Sequence, residues 1–240
     1  MKLVKTSALA LIDEIALTRD IIARDRRRLA SVQAVQFWQS QRLHRTYADY
    51  AAVPRYRDAI EFFLQDVYGP HDFARRDRDL RRVLYQWEQL LPQRALEALV
   101  HALELEALSQ SLDVATANAL GDIALRPESY ALAYRRTARR DDRQRQIWLT
   151  LAAGRALDSL IETPALGIAL RTARLPARML GVAALQAFLE RGYKAFKRMG
   201  GASDLLGAIQ QRETTIMHRL FAGSSDPYRV DGISFDCATV

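Results

Sequence analysis

Glu61-Phe62-Phe63-Leu64-Gln65-Asp66-Val67-Tyr68-Gly69-Pro70-His71-Asp72-Phe73 is the stretch that decides the fold. It reads as the apolar end of one helix, a Tyr-Gly-Pro break, and the start of a second helix. Glycine permits a left-handed cap and proline cannot continue the hydrogen-bond ladder, so the first helix stops there. Asp72 is placed to cap a helix running from Phe73 to about Leu90, with Leu80, Val83, Leu84 and Trp87 turned inward. Upstream, Pro54 suits the first turn of the helix that reaches Val67, with Tyr56, Ile60, Phe63 and Leu64 on its apolar side.

Outward from this joint the helical period continues. From Ser7 to about Tyr50 breakers are nearly absent, and Leu11, Ile15, Ile22, Leu29, Val32, Val35 and Trp38 fall at helical spacings. That predicts one long helix or two, with any bend near residues 20–26. Pro92 opens a helix striped by Leu96, Leu99, Val100, Leu103 and Leu108, and Pro127 opens one through Tyr130, Leu132 and Tyr134. Another runs from Arg143 to Ile161, and Thr163-Pro164 begins a short one to about Ala173. Pro176 begins a strongly apolar helix through Met179, Leu180, Leu185, Phe188, Leu189 and Phe196. Its reading is a buried centre of the bundle, with a homodimer interface or a ligand-pocket wall as the alternatives. Gly200-Gly201-Ala202 is a turn, and Ser203 is read as the cap of the last helix, Asp204 to Phe221. The expected fold is all-α, a single-domain bundle of about eight or nine helices over residues 1–222. A soft boundary falls near residues 122–127, and residues 223–240 read as an irregular tail.

Composition agrees with this. Of 240 residues, 49% are hydrophobic and 26% charged, with 7 prolines and 11 glycines, which excludes a disordered chain. The net charge of +7 is carried almost wholly by arginine, since Lys2, Lys5, Lys194 and Lys197 are the only lysines. Many arginines stand one helical turn from an acid, as on a solvated helix face. Cys237 is the sole cysteine, so neither an internal disulfide nor a cysteine-based zinc site is expected. The apolar run after Met1 is too short for a secretory signal, and no stretch is long enough to span a bilayer, so a cytoplasmic protein is expected.

Phe62-Phe63-Leu64, Asp66, Tyr68-Gly69-Pro70, Asp72-Phe73 and Arg76-Asp77 together resemble the signature of a family of uncharacterised bacterial proteins. Leu185-Gln186-Ala187-Phe188-Leu189-Glu190-Arg191-Gly192 and the Gly200-Gly201-Ala202 turn extend the resemblance, which runs from about Phe37 to Phe221. It implies an all-helical fold and a bacterial origin. No catalytic residue follows from it.

Three constellations are candidates for function. Asp66, Tyr68, His71, Asp72 and Arg76 crowd the joint, where a histidine beside a carboxylate is suited to general-base chemistry or ligand binding; capping alone also accounts for Asp72. Arg135, Arg136, Arg139, Arg140 and Arg143 form the densest basic segment, suited to phosphates or other anions if they share an exposed face with few acids. Glu97, His101 and Glu104 share a helix face, yet the paired Glu-x-x-His units of a di-iron bundle are missing, and a surface ion pair is the plainer reading. No metal site or cofactor is expected. Haem with His44, His71, His101 or His218 as a lone axial ligand stays as an alternative, as does haem or a metal at the joint. Nucleophile elbows and phosphate loops are absent from the sequence. The resulting expectation is a non-enzymatic interaction or regulatory protein, partnered by a second copy or another protein. A small-molecule, haem or metal sensor or enzyme at the joint is one alternative, and nucleic-acid binding through the arginines is the other.

Overall fold

The computed structural model describes residues 2–67, 78–84 and 93–230, with side chains at all of these except 2–6, 65–67 and 164–165. Tyr68, His71, Asp72, Arg76, Trp87, Pro92, Cys237 and the side chain of Asp66 lie outside the described residues. The described chain is helical almost throughout: α1 Lys2–Ala23, α2 Arg26–Thr46, α3 Ala48–Ala52, α4 Pro54–Glu61, a π-helical turn Phe62–Val67, and α5 over residues 78–84. After these come α6 Gln93–Leu120, α7 Pro127–Arg136, α8 Arg140–Ile161, α9 Pro164–Thr172, α10 Arg174–Met179, α11 Ala183–Met199 and α12 Ser203–Ala222.

The fold is all-α, as expected, but divided into more segments than eight or nine. Asp25 accounts for the first division. Its carboxylate accepts from the backbone N–H of Arg27 at 2.9 Å and of Arg28 at 3.3 Å, capping α2 and separating it from α1. Pro54, Pro127 and Pro164 each stand in the first turn of a helix, where the missing N–H costs nothing. The apolar run from Pro176 is not one helix. Gly181 takes φ +73°, a left-handed conformation that favours glycine, and breaks the run into α10 and α11. Ser203 is the first residue of α12 and not its cap; the preceding residue, Ala202, is buried in the core.

α6 organises the packing. At 28 residues and 1.5 Å per residue it is about 42 Å long, enough to serve two apolar clusters in turn. Its first half, through Leu96 and Leu103, packs with Ala8, Ile12 and Ile15 of α1 and Leu84 of α5. Its second half borders the larger cluster, where α2, α4, α7, α8, α11 and α12 meet around Trp38, Tyr130, Phe196, Leu205 and Met217. Trp38 stacks on Tyr130 at 3.9 Å between ring centroids and meets the edge of Tyr228 at 5.5 Å. The residues after α12 therefore do more than trail away: through 230 they form no helix, yet Tyr228 and Val230 are buried. Gly192 makes room for the Phe62 ring, since a Cβ there would lie 2.8 Å from Phe62 Cζ. This contact seats the π-helical turn on α11.

Candidate functional site

Polar groups run through the centre of the bundle. Asp113 on α6 accepts from Gln39 at 2.6 Å and Gln36 at 3.2 Å, both on α2. Burial pushes its carboxyl up to about 6, against the opposing pull of the Arg143 charge and the two glutamine hydrogen bonds. Arg143 on α8 is 2% exposed; it donates to Thr116 at 2.9 Å and Gln146 at 3.2 Å and lies 4.3 Å over the Tyr134 ring. A second group joins α2 to α12. Arg42 donates to Glu213 at 2.5 Å, and the Tyr47 hydroxyl donates to the same carboxylate at 3.0 Å. Burial first, and then the Glu213 charge, raise Tyr47 well above the ordinary tyrosine range. Arg212 makes a bidentate pair with Asp49 at 2.6 and 2.8 Å and donates to the Thr46 carbonyl at 2.6 Å. Apart from the Arg143 Nε, which is buried without a hydrogen-bond partner among the described residues, these donors and acceptors answer one another within the fold. They brace α2, α6, α8 and α12, and a buried charge left without its partner is costly.

That arrangement redistributes the arginine segment. Arg135 and Arg136 end α7, the chain turns at Ala138 with φ +53°, and Arg140 and Arg143 belong to α8. Arg143 is in the core. Arg139 pairs with Asp142 at 2.7 Å and donates to Ser111 at 2.8 Å, and Arg140 lies 5.9 Å from the centre of the Phe221 ring. Arg135, Arg136 and Arg140 remain exposed, so the five arginines do not form one outward face. The face of α6 is likewise divided among other contacts: Glu97 accepts from Gln93 at 2.9 Å, Glu104 pairs with Arg145 at 3.3 Å, and His101 meets Trp148 edge-on. Among the described residues no three His, Cys, Asp or Glu side chains gather as a metal would require. The described part of the joint is the π-helical turn, in which Phe62 and Leu64 are buried.

The outward-facing candidate is the α9–α11 unit. α11 is divided into apolar and polar faces, and buries Leu185, Gly192, Ala195, Phe196 and Met199. The opposite is true around it. Ile168 on α9, Leu175 and Met179 on α10, and Leu189 on α11 are exposed, Leu175 by 66% and Met179 by 81%. The expected burial of the run from Pro176 therefore holds at Leu185 and Phe196 but not at Met179 or Leu189, and the break at Gly181 lets α10 leave the bundle's centre. Arginines accompany these side chains. Arg174 forms a bidentate pair with Glu190, both contacts at 2.6 Å, and its hydrogen bonds, helped by Gln186, hold that carboxyl down at about 2. Arg171 and Arg178 are exposed and engage no acid among the described residues. The sequence offered an interface only as an alternative to burial for the run from Pro176, since its exposed residues carry the same apolar pattern as those that α11 buries.

Fold and surface together define an all-helical domain braced by buried arginine–acid pairs, with an arginine-flanked apolar edge. The chain belongs to the family described as Domain of unknown function (DUF8198), which matches residues 19–227, and the resemblance to an uncharacterised family is thereby borne out. Comparison with curated proteins finds no match, and neither does comparison with solved structures. No helix among the described residues is long and apolar enough to cross a membrane.

Proposed function

We propose that this chain is a non-enzymatic helical interaction protein that docks a protein partner on its α9–α11 edge. The observation that carries the proposal is the exposure of Leu175 and Met179 on α10 beside Arg171 and Arg178. Burying two such side chains contributes roughly 2–5 kcal/mol, a sufficient anchor for a specific contact. Guanidinium groups that engage no acid among the described residues favour a partner whose apolar ridge is flanked by carboxylates. A second copy of the chain is the other occupant, but face-to-face self-association sets Arg171 and Arg178 against their own counterparts, so a different protein fits better. We place this role in a bacterial cytoplasm, in line with the sequence resemblance.

The test is site-specific photo-crosslinking in the native host, with the crosslinker at position 175 or 179 and a control at Ile123, an exposed apolar residue between α6 and α7. A discrete protein adduct from 175 and 179 but not from 123 supports the proposal. Equal adducts from all three positions, or an adduct only with the chain itself, would overturn it in favour of indiscriminate contact or a homodimer.

A further inference from the structure

Between α1, the start of α2 and the middle of α6 lies a pocket of about 190 Å³. Pockets for drug-sized molecules span roughly 300–1,000 Å³, so this one suits something smaller. Ile15, Ile22 and Val114 give it apolar walls. Five polar side chains also line it, Glu14, Thr18, Arg28, Gln110 and Ser111, the last accepting from Arg139. Gln110 is only 9% exposed, and its amide has no hydrogen bond among the described residues. Arg28 is half-buried, with an Nε that is buried and without a partner. Glu14 is exposed and makes no ion pair among the described residues, with Arg28 or with any other cation.

A cation and an anion that share a pocket without pairing, beside an amide that makes no hydrogen bond among the described residues, form an incomplete constellation. By contrast Arg42 and Arg212 are buried and paired with acids, while buried Arg143 donates to Thr116 and Gln146 and keeps an unpartnered Nε. Buried polar groups are as a rule satisfied, and an exception is a place to look for a ligand. We propose that the pocket binds a free α-amino acid with an aliphatic side chain. Its carboxylate is taken by Arg28 and the Gln110 amide, its ammonium by Glu14, and its side chain by Ile15, Ile22 and Val114. A simple carboxylic acid leaves Glu14 unanswered, and a simple amine leaves Arg28 and Gln110 unanswered. The pocket is remote in sequence from α9–α11, and its occupancy does not depend on docking there.

Calorimetric titration of the full chain with L-leucine, L-isoleucine, L-valine and L-methionine is the test, with 4-methylpentanoate and 3-methylbutylamine as the analogues lacking ammonium and carboxylate. At least one amino acid is expected to bind at submillimolar concentration, with both analogues about tenfold weaker or more, a difference of about 1.4 kcal/mol per tenfold. Arg28→Met and Glu14→Gln are each expected to lose about tenfold in affinity, while circular dichroism and the melting temperature of the ligand-free protein stay close to wild type. Three results would overturn the inference. One is no heat from any amino acid at millimolar concentration, which would leave the pocket to water. The second is an analogue binding as tightly as its parent. The third is undiminished binding by both variants.

Discussion

Arg143→Met is the substitution that probes the interior most sharply, because its cost should depend on pH. Asp113 titrates near 6 in the folded chain, against an ordinary 3.8, mainly because it is buried. Between these values the native state holds a proton that the unfolded chain has released. Wild-type stability therefore falls as pH rises through this window, by about 3 kcal/mol in all, and the whole cost is present above pH 6. The Arg143 charge opposes that cost. Without it the Asp113 carboxyl moves higher still, and the variant avoids burying a bare charge by keeping the proton. At about pH 7.5 the added cost is then limited by the distance from 6 to 7.5, or about 2 kcal/mol. Loss of the hydrogen bonds to Thr116 and Gln146 adds about 1–2 kcal/mol at any pH. The expected destabilisation is about 3–4 kcal/mol near pH 7.5 and about 1–2 kcal/mol near pH 5. Urea unfolding followed by circular dichroism at the two pH values measures both. Equal destabilisation at the two values would refute the coupling of Arg143 to Asp113.

Three further substitutions test the packing. Gly192→Ala drives a Cβ against the buried Phe62 ring and is expected to cost about 1–3 kcal/mol by urea unfolding, whereas no change would mean that the π-helical turn is not seated there. Tyr228→Ala removes a buried ring from the edge of Trp38 and is expected to cost about 3–5 kcal/mol; a melting temperature equal to wild type would show that the segment after α12 does not brace the core. Arg212→Met should alter the acid limb of stability. The Arg212 hydrogen bonds hold Asp49 below its ordinary range, so in wild type this pair contributes above that range and loses its contribution as pH falls. The variant should lose stability at neutral pH and show a flatter fall between about pH 5 and pH 3, and an unchanged acid limb would contradict the pairing.

What the sequence disclosed, and what it did not, follows from how far apart the cooperating residues lie. Pro54, Pro127 and Pro164 mark helix starts because the constraint on proline is local, and the bend expected near residues 20–26 is found where Asp25 caps α2. Gly181 is different. A glycine inside an apolar periodic run is compatible with continuation, and only packing decides that it takes a positive φ. The same break separates exposed Leu175 and Met179 from buried Leu185 and Phe196, although all four share one hydrophobic pattern. Arg143 was read as a surface cation because its hydrogen-bond partner Thr116 is 27 residues away, across the α6–α8 contact. Nor does any local pattern reveal that Glu14, Arg28 and Gln110, from three helices, line one pocket.

Docking is proposed on the edge that α10 presents. The measurement that tests it most directly is the affinity of the partner captured at position 175 for wild type and for the Leu175→Asp/Met179→Asp variant, by calorimetry on protein with unchanged circular dichroism. A loss of at least about tenfold is expected, with wild-type binding itself weakened by salt as the arginine contacts are screened. An affinity unchanged by the double substitution would contradict it.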